Sequence, residues 1–115
     1  MSAPWLPLTQ PDQLIDLAQA SHEQPVLIFK HSTTCSISAA AKSKIERQWA
    51  DSGLADVPLY YLDLLRFRPL SAQIAEQFNV RHESPQLLLI RGGQCRYDAS
   101  HMGIRLNEVK SALNA

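Results

Sequence analysis

Glycine is scarce in this chain, four residues in 115. No cluster of glycines forms a loop able to cradle phosphates. Gly92-Gly93 stands alone and reads as a turn. Cysteine is scarcer, with Cys35 and Cys95 far apart in the sequence, so no disulfide framework is available. Reducing surroundings would keep both as thiols at rest. An excess of one charge is missing too, since eleven basic residues balance eleven acidic ones. That argues against nucleic acid or an anionic membrane as the main partner. No apolar run approaches the length of a bilayer span. The stretch Met1-Ser2-Ala3-Pro4-Trp5 lacks a basic region followed by a long apolar core, so no secretory signal is read and the expected compartment is the cytoplasm. The histidines are few, four in all. His22, His82 and His101 show no ligand spacing, and the His31–Cys35 interval is not regular helix, so no metal site is expected.

What is present reads as alternating strands and helices. Trp5-Leu6-Pro7-Leu8 suits a short edge strand. Thr9-Gln10-Pro11-Asp12 is a helix entry with Thr9 as cap, followed by an apolar stripe of Leu14, Ile15, Leu17 and Ala18. Val26 to Lys30 is a central strand buried on both faces. A helix from about Ser36 to Asp51 carries Ile37, Ala41, Ile45 and Trp49 as its core stripe, and Gly53 ends it. Val57 to Leu64 is the next strand. Leu70 to Phe78 is a helix with Ile74, Ala75 and Phe78 facing inward. Gln86 to Ile90 and Gln94 to Ala99 are strands joined by the Gly92-Gly93 hairpin. Arg105 to Leu113 closes the chain as a helix. This order predicts an α/β thioredoxin-like fold spanning residues 1–115 as one domain, a mixed central sheet with helices on both faces.

Cys35 carries the chemistry. It follows the strand and a short polar loop, and it opens a helix, where unpaired N–H groups and the helix dipole favour a thiolate. The position where a second cysteine often stands, three residues on, is Ser38. A Cys-x-x-Ser site cannot close its own disulfide, but it can attack a mixed disulfide and wait for an external thiol. The Ser38 hydroxyl either donates to the Cys35 thiolate or is a plain helix-start serine. Lys30 and His31 either add positive charge near Cys35, or are an exposed strand end and a solvated loop residue. Ser84-Pro85 precedes a strand. In a thioredoxin-like fold this proline is expected to be cis and to sit against the thiol, leaving the backbone before it free to pair with an extended substrate. The hairpin then brings Ser100, His101 and Gly103 toward the site. Cys95 falls at the far turn, about 20 Å or more away at ~3.3 Å per strand residue. Its alternation with Tyr97 and Ala99 suggests a packed thiol.

The stretch Phe29-Lys30-His31-Ser32-Thr33-Thr34-Cys35-Ser36-Ile37-Ser38 resembles the active-site segment of the YtxJ family, monothiol bacilliredoxin-like proteins of the thioredoxin superfamily. Ser84-Pro85-Gln86 and Ala99-Ser100-His101 also look like family segments. The family motif is usually Thr-Cys-Pro-Ile-Ser. Thr34, Cys35, Ile37 and Ser38 match it, and Ser36 replaces the proline, adding an N–H donor near the sulfur. The resemblance implies a cytosolic bacterial protein that removes bacillithiol from protein mixed disulfides. No cofactor would be bound, and bacillithiol would serve as thiol co-substrate. Cys35 would be the catalytic residue, with Lys30, His31, Thr34, Ser36 and Ser38 supporting it and Ser84, Pro85 and His101 binding substrate. Its partners would be bacillithiolated proteins and either free bacillithiol or a reductase. Two other readings compete. One is a stress sensor or bacillithiol-binding protein with little turnover. The other is a non-catalytic module that binds peptides at the sheet edge and Pro85 loop.

Overall fold

Val26–His31 is buried at every position, as a strand covered by helices on both sides must be. It is the middle strand of a five-stranded sheet. The computed structural model describes residues 3–114. Met1 and Ser2, part of the stretch read above for a secretory signal, and Ala115 lie outside the described residues. The elements are β1 (Trp5–Pro7), α1 (Pro11–Ala20), β2 (Val26–His31), α2 (Ser36–Gln48), β3 (Leu59–Asp63), α3 (Arg68–Gln77), β4 (Gln86–Arg91), β5 (Gln94–Ser100) and α4 (Leu106–Leu113). Two 3₁₀ turns, Trp49–Asp51 and His101–Gly103, follow α2 and β5.

Strands β1, β3 and β2 run parallel, whereas β4 and β5 run antiparallel to their neighbours. Side chains alternate across a strand, so each face of the sheet feeds its own core. Leu27, Phe29, Leu59, Leu87 and Leu89 meet Ala41 and Ile45 of α2 and Leu106 and Val109 of α4. Ile28, Leu62, Leu88 and Ile90 meet Leu14 and Leu17 of α1 and Leu70 and Ile74 of α3. The result is a three-layer α/β thioredoxin fold. Each fully buried Leu, Ile or Phe contributes about 1.5–3 kcal/mol, so the two cores hold β2, and the loop leaving it, from both sides.

Several boundaries differ from the sequence expectations. The cap of α1 is Gln10 rather than Thr9. The Gln13 carboxamide oxygen reaches back to accept from the N–H groups of Thr9 and Gln10, at 2.8 and 2.9 Å, and this fixes the chain with Gln10 in the cap position. Helix α3 begins at Arg68, before Pro69, because proline in a first turn lacks only an N–H that no helical carbonyl would accept. Strand β3 is shorter than Val57–Leu64. Two apolar residues leave their predicted core stripes. Ile15 is 55% exposed and Ile37 is 44% exposed. Gly53 does follow the turn after α2, with φ of +76°, a conformation that suits glycine.

Candidate functional site

Strand β2 delivers the chain to the parallel-strand end of the sheet, where it turns sharply. The Cys35 N–H donates to the Ser32 carbonyl at 3.2 Å, closing a turn through Thr33 and Thr34. The Thr34 and Ser32 hydroxyls lie 3.4 Å apart. Cys35 is the N-cap of α2 and is extended, with φ −105° and ψ 121°. Its carbonyl accepts the first helical hydrogen bond, from Ala39 N–H at 3.0 Å. No side chain among the described residues caps this end, so the first-turn N–H groups beside the sulfur are left for solvent or a ligand. Cys35 is a free, half-buried thiol, and Ser36 at the first helical position is exposed.

His31 and Ser38 lie beneath this loop, and both are buried. The Ser38 hydroxyl is 2.7 Å from His31 Nδ1 and accepts from Ser32 N–H at 3.0 Å. It makes no hydrogen bond to Cys35 among the described residues, so its observed work is to hold the loop rather than to donate to the thiol. His31 is not a solvated loop residue. Its ring stacks on Phe29 at 5.8 Å and lies 5.6 Å from the Tyr61 ring. Burial, and then the Lys42 ammonium, push its pKa below the ordinary histidine value, with the neighbouring Asp63 and the Ser38 bond opposing. The imidazole is therefore held toward its neutral form.

Lys30 corrects both readings of it. It is neither an exposed strand end nor a charge beside Cys35. Strand alternation turns it to the opposite face of the sheet from His31. There it is fully buried, with Nζ 3.3 Å from the Ser71 carbonyl and 3.3 Å from His82 Nδ1. Burial pushes the amine down to about 8.

The register fixes the other wall. Lys30 pairs with Gln86, so Pro85 lies level with the end of β2, where the Cys35 loop departs. The Ser84–Pro85 peptide is cis. Pro85 is buried and its carbonyl accepts from His101 N–H at 3.1 Å. The Ser84 hydroxyl is buried and has no hydrogen-bond partner among the described residues. The structure thus joins Pro85 and His101, which the sequence placed together through the hairpin. His101 is exposed in a left-handed conformation, φ 54°. With Met102 and Ile104 it faces Ile37, Ala40 and Lys44 of α2 across a cleft of about 220 Å³.

Cys95 stands near the hairpin turn, paired with Ile90, whereas Ser100 pairs with Gln86 at the other end. A register shift between Leu89 and Ile90 leaves Arg96 as the extra residue of a bulge, which reverses the facing of the strand. Cys95 therefore packs on the α1/α3 side, while Tyr97 and Ala99 pack on the other; the predicted shared face is wrong. Its thiol donates to the Tyr97 carbonyl at 3.4 Å, and burial pushes its pKa up to about 11.

One part of the site escaped the sequence reading. Lys42 bridges to Glu46 at 2.8 Å and lies over the Trp5 and Tyr61 rings at 5.5 and 5.9 Å. Trp5 Nε1 donates to the same Glu46 carboxylate at 2.8 Å. This ties edge strand β1 to α2 beside His31. The i, i+4 Lys–Glu spacing was the available signal.

A model of the monothiol bacilliredoxin family, BrxC, matches residues 6–109. A solved thioredoxin-fold protein described as a candidate oxidoreductase is 32% identical, with a TM-score of 0.78 over 94% of this chain and 92% of its own. Thioredoxin f from spinach chloroplast is 14% identical, with a TM-score of 0.69 over 98% of this chain and 93% of its own. Thioredoxin O2 from Arabidopsis thaliana is 16% identical, with a TM-score of 0.68 over 97% and 93%. The last two likenesses speak for the fold alone.

Proposed function

The chain belongs to the monothiol bacilliredoxin family, and on that premise we propose that Cys35 removes bacillithiol from protein mixed disulfides in a reducing cytoplasm. The observation that carries the reading is a half-buried thiol at an uncapped helix N-terminus with no second cysteine in reach. Ser38 occupies the place of a resolving cysteine and is hydrogen-bonded into the fold. Cys95 is at the opposite end of its strand and holds its proton.

The thiolate of Cys35 attacks the bacillithiol sulfur of the mixed disulfide. A Cys35–bacillithiol disulfide forms, the protein–bacillithiol bond breaks, and the client cysteine leaves as a thiolate that takes a proton from solvent. Free bacillithiol then attacks the adduct and leaves as bacillithiol disulfide, restoring Cys35; alternatively a reductase supplies the two electrons. The first-turn N–H groups stabilise negative charge on the sulfur as attacker and as leaving group. The segment Ser84-Pro85 would present main-chain groups to the extended client, and His101 would flank it.

Mass spectrometry of the protein mixed with a bacillithiolated client tests this. The expected result is a bacillithiol adduct on Cys35, release of reduced client, and loss of both in Cys35→Ala. Repeated turnover should follow when free bacillithiol is in excess. Transfer without turnover would point to a sensor, and no adduct at all would remove the redox reading.

A further inference from the structure

Helix α2 carries its exposed face away from Cys35 along a trough of two adjoining parts. The near part is the 220 Å³ cleft, where Ile37 and Met102 are exposed at 44% and 77%. The far part, about 610 Å³, lies between α2 and the start of α4 and is lined by Lys44, Arg47, Arg105 and Lys110, with Asp51 as its one acid. Lys44 and Arg47 line both parts, so the two adjoin. Among the described residues no carboxylate pairs with these cations. Lys44 Nζ donates to the Ile104 carbonyl at 2.7 Å, and Lys110 Nζ to the Gly53 carbonyl at 3.0 Å. Arg47 donates to the Ser43 hydroxyl at 2.8 Å. The one ion pair among the described residues, Lys42–Glu46, is elsewhere on α2. Four cations thus gather in one groove of a chain whose formal charge is zero.

We propose that this trough docks an acidic segment of the client protein, on one side of the cysteine that Cys35 attacks; the inference rests on the exchange reaction proposed above. Length selects a polypeptide over a small thiol. At ~1.5 Å of rise per residue, Lys44 and Arg47 lie about 13 and 18 Å along the helix from Cys35. An extended peptide advances ~3.3 Å per residue, so client carboxylates about four to six positions from the reacting cysteine meet the cations. The residues between them cross Ile37 and Met102, where an apolar side chain fits. Opposite charge here speeds encounter and favours the correct client, an effect that salt weakens.

The test compares cysteine peptides carrying the same small-thiol disulfide, with Asp/Glu, Asn/Gln or Lys/Arg at positions four to six before or after the cysteine. The readout is the second-order rate of label transfer to Cys35. At low salt one acidic series should react about tenfold faster than its neutral counterpart, and the advantage should shrink toward unity at high salt. Arg47→Glu and Arg105→Glu, both at exposed positions, should each lower the acidic-to-neutral ratio, and the double variant should turn the preference to the basic series. Equal rates for all series, or a preference unmoved by both substitutions, would overturn the proposal while leaving the exchange reaction intact. Failure of every peptide to transfer its label would instead refute the reaction itself.

Discussion

His31 Nδ1 and the Ser38 hydroxyl lie 2.7 Å apart beneath the loop that carries Cys35. The hydroxyl also accepts from Ser32 N–H. One buried oxygen therefore joins the end of β2, the turn and the first turn of α2. Cys35 sits above this junction, so the geometry of the thiol depends on a contact that the thiol does not make.

Ser38→Ala should cost stability without removing the reactive sulfur. The substitution leaves a buried imidazole nitrogen and a buried N–H without partners, worth about 1–3 kcal/mol. Urea denaturation should show that loss. If the hydroxyl serves the fold, iodoacetamide labelling of Cys35 at pH 7 should stay within about twofold of wild type. A tenfold fall in labelling with unchanged stability would show instead that Ser38 serves the thiolate directly.

Acid should weaken the native state through His31 before any carboxylate is reached. Burial and Lys42 hold the folded pKa below 6.5, while the unfolded ring keeps the ordinary value of about 6.5. As pH falls through that unfolded value toward the folded one, the unfolded state binds more protons than the native state, and stability drops. His82 is lowered in the same direction, chiefly by burial. Denaturation at pH 7.5 and 5.5 should give the higher stability at 7.5. A flat profile, or a gain on acidification, would contradict a neutral buried imidazole.

Ser36→Pro tests the residue that departs from the family motif. Cys35 already has φ −105° and ψ 121°, a region that tolerates a following proline, and proline is at home in the first helical position. The change therefore removes one N–H beside the sulfur with little effect on the backbone. Losing a dipole of this kind is worth about 0.3–1 kcal/mol, so alkylation of Cys35 at pH 7 should slow about two- to fivefold. Alkylation as fast or faster in the proline variant would mean that this N–H does not stabilise the thiolate.

Strand–helix alternation made the three-layer fold legible in the sequence, because β2 and β4 each carry four consecutive apolar residues and a doubly covered sheet accommodates that. Cys35 at a helix start was legible for the same reason. Facing was not. Lys30 sits among apolar residues, and its direction depends on strand phase, which a short continuous apolar run does not reveal. His31 becomes a buried residue because Tyr61, remote in sequence, packs against its ring and Ser38 bonds its Nδ1. The bulge at Arg96 reverses Cys95 and has no signature in Gln94-Cys95-Arg96-Tyr97. Ile37 falls on the helical apolar stripe, yet the stripe runs past the edge of the sheet, and its first member is left lining the cleft.

Cys95 should be a spectator. Burial first, and Asp98 next, raise its pKa to about 11, so at pH 7.5 its thiolate fraction is small. Iodoacetamide under native conditions should label Cys35 first, with Cys95 slower by about tenfold or more. Cys95→Ser should leave bacillithiol transfer unchanged. A Cys35–Cys95 disulfide after mild oxidation, seen by mass spectrometry, would contradict the separation of the two along β5.

Lys30→Met should stabilise the protein at neutral pH, and the gain should fade in alkali. The ammonium is fully buried and its partners are a carbonyl and an imidazole, with no carboxylate. Burial alone lowers its pKa to about 8, against about 10.4 in the unfolded chain. Below pH 8 both states carry the proton, and the native state bears the full cost of a desolvated charge. Between 8 and about 10.4 the unfolded state binds the extra proton, so wild-type stability rises with pH across that window. Methionine has a similar length and no charge, and His82 Nδ1 keeps the Ser71 hydroxyl at 3.3 Å. Replacing a buried charge with a packed apolar side chain gains about 1–4 kcal/mol. Thermal or urea unfolding at pH 7 and pH 10 checks both parts. The variant should lead at pH 7 and the lead should narrow at pH 10. A loss at pH 7, or a lead independent of pH, would mean that the buried amine is stabilised by something other than the two contacts it makes.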